Sequence, residues 1–83
     1  MNNSKLIKAF IAPATYQIMV DGHVDSTVTP LLGDMSITYL NVKGQELSNL
    51  IGKVTDQSAL SGLINTLIDY RYTVISVIMI NQS

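Results

Sequence analysis

The stretch Thr73-Val74-Ile75-Ser76-Val77-Ile78-Met79-Ile80 decides how this chain is read. Five of its eight residues are Val or Ile, the stiff β-branched types that suit a pleated surface, so it is predicted to be a strand. Alternation sends Val74, Ile78 and Ile80 to one face and Ile75, Val77 and Met79 to the other, with only Ser76 interrupting. An antiparallel sheet covered by helices on one side turns its other face to water, and that face then reads polar. A strand apolar on both faces is expected to be covered on both. It also lacks the lysine or proline that blunts a free sheet edge. A second copy of the chain is the expected cover, with Val74, Ile75, Val77, Ile78, Met79 and Ile80 as the contact strand of a homo-oligomer, a dimer in its simplest form.

Working back from this strand, the clearest element is a helix capped by Thr55 or Asp56. Leu60, Leu63, Ile64, Leu67 and Ile68 fall at helical spacing on one stripe, with Ser58, Ser61, Asn65 and Asp69 on the wet side. Gly62 costs about 1 kcal/mol in a helix interior, so close packing against its backbone is expected to compensate. Ahead of the helix, strands are predicted over Met35–Asn41 and Glu46–Val54, joined as a hairpin through Lys43-Gly44-Gln45. The segment His23–Asp34, with Pro30 and Gly33, fits a short helix or a structured loop equally well. Tyr16–Gly22 alternates as a first strand. Residues 1–14, broken at Pro13, form an N-terminal arm, and residues 15–83 a single domain. Strand, short helix or loop, strand, strand, helix, strand is the βαββαβ order of a ferredoxin-like α+β sandwich with a four-stranded antiparallel sheet.

Composition narrows the classes of function. Of 83 residues, 47% are hydrophobic and 13% charged, which rules out intrinsic disorder. A net charge of −1 gives no electrostatic footprint for nucleic acid or anionic membrane. The absence of cysteine excludes disulfides, thiolate metal sites and a cysteine nucleophile. No apolar run approaches the ~18–20 residues of a membrane span, and the broken apolar run at the N-terminus does not make a secretory signal. A cytoplasmic location is the expectation, with no cofactor and no metal.

The stretch Leu50-Ile51-Gly52-Lys53-Val54-Thr55-Asp56-Gln57-Ser58-Ala59-Leu60-Ser61-Gly62-Leu63-Ile64, with Ile75-Ser76-Val77 after it, resembles a pattern shared by a group of small, mostly uncharacterised bacterial proteins. That group carries a leucine–x–glycine strand end, an aspartate–glutamine–x–alanine–leucine helix start, a glycine–leucine–leucine middle and a closing leucine–serine–valine strand. The resemblance extends to Tyr16–Asp25 and covers roughly residues 16–78. It departs at Val28–Leu32, where the group is aromatic, and at Tyr70-Arg71-Tyr72, where the group has leucine–glycine. It implies a fold and a bacterial origin, and no activity.

Candidate sites are few. Asp56 and Gln57 stand where a helix N-terminus favours an anion, although an acid there suits a cap better than an anionic ligand. Asp21, His23 and Asp25 alternate at the end of the first strand, and a lone histidine with carboxylates makes a poor metal shell. No serine, histidine and acid stand at the spacing of a hydrolase triad. Val20-Asp21-Gly22-His23-Val24 resembles the start of the acylphosphatase signature, but the phenylalanine–arginine pair that grips phosphate is missing. The third strand has no aromatic residue to stack RNA bases. Tyr70 and Tyr72, flanking Arg71, either stack on a partner or cover the core rim. The leading expectation is a non-enzymatic interaction or assembly domain. The alternative is a regulatory domain of the ACT type, taking a small molecule at a dimer interface with Gly22, His23, Asp25, Asp56 and Gln57; its support is topology alone.

Overall fold

The computed structural model describes residues 13–82, without the side chain of Gln82. The elements in chain order are β1 (Ala14–Asp21), a single 3-10 turn (Thr29–Leu32), β2 (Ser36–Val42), β3 (Gln45–Val54), α1 (Gln57–Asp69) and β4 (Thr73–Gln82). The four strands make one sheet in the order β2-β3-β1-β4, every neighbouring pair antiparallel. The expected arm lies outside the described residues up to position 12. Ala14, assigned to that arm, is already in β1 and fully buried.

The ferredoxin-like βαββαβ sandwich is corrected. The described residues form a four-stranded antiparallel sheet with one α-helix, which lies between β3 and β4. The connection from β1 to β2 forms no α-helix, and its sequence explains why. Val24, Thr27, Val28 and Thr29 are β-branched and lose χ1 freedom in a helix. Pro30 cannot donate to a helix interior, and Gly33, at φ +68°, turns the chain out after one turn. What holds this loop is burial: Val24, Val28 and Leu32 are almost wholly buried and join the core beside the sheet.

β1 runs through the centre of the sheet and alternates cleanly. Ala14, Tyr16, Ile18 and Val20 are buried toward the helix, while Thr15, Gln17 and Met19 lie half-buried on the opposite face. Across the sheet they meet Val54, Gly52, Leu50 and Ser48 of β3, and Leu60 and Leu67 of α1 close the same core. Gly52 leaves room for β2 to begin: a Cβ there would meet Met35 Sδ at 2.5 Å and Met35 Cα at 3.1 Å.

The hairpin of β2 and β3 turns through two residues. Val42 pairs with Gln45, and Lys43 and Gly44 sit between them at φ +52° and +84°. Positive φ at both positions suits the twist of the flanking strands, and Gly44 takes its share at no steric cost. The helix begins as expected: the Asp56 carboxylate accepts from the Ala59 N–H at 2.8 Å, satisfying an N–H with no partner inside the helix. It ends with Arg71 in the left-handed region, φ +69°. Ile68, assigned to the buried stripe, is 54% exposed.

β4 departs from strict alternation. Two register shifts against β1 leave Ile75 and Ile80 as extra residues on β4. Val74, Val77 and Met79 therefore stand opposite Val20, Ile18 and Tyr16 and share the helix side. Ser76 and Ile78 stand opposite Met19 and Gln17 on the other face. The strand is apolar on both faces as expected, but the bulges change which residues share a face.

Candidate interaction surface

β4 is a sheet edge, paired with β1 on one side and with no strand on the other among the described residues. Its ten residues include no charge and no proline. Ile75, Val77, Ile78, Met79 and Ile80 are between 38% and 52% exposed, and Val74 is half-buried against the core. The residues expected to form a contact strand thus lie together on one exposed edge. The backbone N–H and C=O groups along its outer side are set to pair with another strand.

The residues of the small-molecule alternative do not come together. Gly22, His23 and Asp25 follow the end of β1, whereas Asp56 and Gln57 follow β3, whose last residue pairs with the first of β1. The two groups stand at opposite ends of the sheet, roughly 23 Å apart at about 3.3 Å per residue. Asp56 is occupied as the helix cap. Gln57 is exposed.

At the other end, His23 belongs to a structural network. Its ring stacks on Tyr39, with centroids 3.9 Å apart and planes at 14°, and its Nδ1 lies 3.0 Å from Glu46 Oε2. The Tyr39 hydroxyl donates to the Val24 carbonyl at 2.8 Å. Asp25 accepts from the Thr27 N–H and turns the loop on itself. The Tyr72 hydroxyl accepts from the Asp25 N–H at 3.2 Å, which makes that side chain a brace between the connection leading into β4 and the loop; Tyr70 stays 49% exposed. Among the described residues, no three His, Asp or Glu side chains gather as ligands for a metal ion. Nor is any helix among them long and apolar enough to cross a membrane.

Sequence reasoning passed over Ser48, the one buried polar residue of the described chain. Its hydroxyl donates to the Gly22 carbonyl at 2.8 Å and accepts from the Val24 N–H at 2.9 Å. It thereby clamps the chain where β1 ends. A serine at a core position of β3, on the same face as Leu50 and Val54, was the available signal.

A concavity of about 480 Å³ lies between the 3-10 turn, the end of β3 and α1, lined by Leu31, Leu32, Met35, Val54, Gly62 and Leu63 among others. Gly62 borders it with nothing within 4 Å of where a Cβ would stand, so the close backbone packing expected there is absent.

The model of a family described as a domain of unknown function, DUF8691, matches residues 15–78. The chain belongs to the DUF8691 family. The match runs from β1 into β4 and takes in the helix and the hairpin. No curated protein and no solved structure matches the chain.

Proposed function

We propose that this DUF8691 domain is a non-enzymatic assembly module that joins copies of itself along β4. One observation carries the reading: a ten-residue edge strand without charge or proline exposes five large apolar side chains. Natural sheet edges are protected by lysine, proline, short length or cover, because an unprotected edge recruits another strand. β4 is long and, among the described residues, uncovered. Antiparallel pairing of β4 with β4 of a second copy, about a twofold axis, satisfies the outer backbone groups of both and buries the apolar side chains against each other. A chain of this size buries little over ~60% of its unfolded surface, so an interface also adds stability that its own core supplies only in part.

Sedimentation velocity across a tenfold concentration range tests this. The wild-type chain is expected as a dimer or larger species, and Val77→Lys is expected to dissociate it across that edge while keeping its circular dichroism. Ile75→Lys, at a half-exposed bulge position, repeats the test where the core is least involved. A monomeric wild-type chain, or folded variants of unchanged mass, would overturn the reading.

A further inference from the structure

The face of the sheet turned away from α1 is a second surface with no partner among the described residues, mostly polar by register but with six large apolar side chains set among its Thr, Ser, Asn and Gln residues. Met19, Leu40, Val42, Leu47, Ile51 and Ile78 all lie on it by register. Leu40, Val42, Ile51 and Ile78 are between 36% and 52% exposed, and Met19 and Leu47 are half-buried. Two of its central polar residues, Gln17 and Asn49, bond to each other, Gln17 Nε2 donating to Asn49 Oδ1 at 2.8 Å. A polar pair satisfied within the chain costs little to cover.

The face carries two charges, and their placement names the occupant. Lys53, opposite Thr15, stands at one end; Asp21, opposite Leu47, stands at the other, where it accepts from Gln45 Nε2 at 3.0 Å. Lys53 makes no ion pair among the described residues. A second sheet packed with its strands running the same way would set Lys53 against Lys53 and Asp21 against Asp21. Packed the opposite way, about a twofold axis lying across the strands, the level of Lys53 meets the level of Asp21 in the copy, and both charges are paired. The face is self-complementary in that one orientation.

We infer that this face packs on the same face of a second copy, closing the β4-paired dimer into a four-chain assembly. This inference rests on the assembly reading above. The twofold axis of β4 pairing is normal to the sheet, and the axis of face packing lies in it, across the strands. Two perpendicular axes close as a tetramer of D2 symmetry, with two eight-stranded sheets stacked about 10 Å apart. Area supports the same order of events. Four strands about 4.8 Å apart and roughly 23 Å long present a flat projection of roughly 400 Å² per copy. Side-chain relief enlarges it, but it stays small against the ~800 Å² per partner of a standard interface. The face is therefore suited to join two edge-paired dimers, where the first face contact makes the second intramolecular and its effective concentration high.

The experiment compares the full chain with Ile51→Lys on the face, Val77→Lys on the edge and the double variant, by sedimentation velocity with circular dichroism as the check on folding. A four-chain wild type is expected, with Ile51→Lys a dimer and both Val77→Lys and the double variant monomers. The charge swap keeps the test sharp should Ile51→Lys fail to fold. Lys53→Asp alone is expected to weaken the four-chain species, and Asp21→Lys combined with Lys53→Asp to restore it. A dimer split by Val77→Lys and indifferent to Ile51→Lys and to the swap overturns the face and leaves the edge standing. A dimer split only by Ile51→Lys overturns the edge and the four-chain closure. A monomeric wild type overturns both.

Discussion

Ser48 shows how much one hydroxyl can hold in a domain this small. With its residue wholly buried, it serves as acceptor for the Val24 N–H and donor to the Gly22 carbonyl, two backbone groups beside the core. Ser48→Ala keeps the shape and removes both bonds. A buried group left without a partner costs ~1–3 kcal/mol, so a loss of stability in that range is expected from urea unfolding. The loop from Gly22 to Leu32 is expected to become more open to proteolysis, since beyond its contacts with Glu46 the hydroxyls of Tyr39 and Tyr72 are then left to brace it. Unchanged stability would mean that water replaces the hydroxyl and that the clamp is not structural. Arg71 is the opposite case, a residue that holds a left-handed φ, costly for a side chain with a Cβ, where the chain reverses after the helix.

Among the elements, α1 carries the clearest test. Gly62 sits in the helix interior with open space around it, on the border of the concavity beside the 3-10 turn. Neither a positive φ nor a close neighbour requires glycine there. Gly62→Ala is therefore expected to stabilise the domain by about 1 kcal/mol, read as a rise in Tm and in the urea midpoint. A fall would reveal a contact at this helix face that only an assembled form makes. The same helix shows what the sequence conveyed. Its apolar spacing and Asp56 placed it to within a residue or two, because periodicity and capping are local signals. Alternation and Gly44 likewise placed the strands and the hairpin. The β4 bulges were not legible, since an extra residue on one strand is set by pairing with β1 and leaves no mark on the spacing within β4. The segment from His23 to Asp34 was ambiguous for a related reason. Val24, Val28 and Leu32 are buried four residues apart, a helical interval, yet β-branched residues, Pro30 and Gly33 limit the ordered turn to four residues. The ligand residues proposed from that loop and from the helix start were near neither each other nor a common cleft, because local motifs do not say which end of a sheet a residue will reach.

At the scale of the molecule, the sheet order sets which backbone amides are exposed, and hydrogen exchange reads this directly. β1 is central, paired along its length with β3 and β4, and its inward side chains form the core. Its amides are expected to exchange slowest, near the limit set by global unfolding. β2 and β4 are both edges among the described residues, each paired on one side only. In a lone chain the outward amides of the two strands exchange alike. Pairing of β4 with β4 removes its outward amides from water and leaves those of β2 unchanged. The expected result is that β4 exchange slows as protein concentration rises through the association range, while β2 exchange stays constant. Val77→Lys should abolish that concentration dependence. Packing of the open faces does not by itself satisfy edge amides, so Ile51→Lys should leave the β4 protection in place at concentrations where the edge pair persists. Equal and concentration-independent exchange in β2 and β4 would show that β4 is not an interface, whatever mass the chain has in solution.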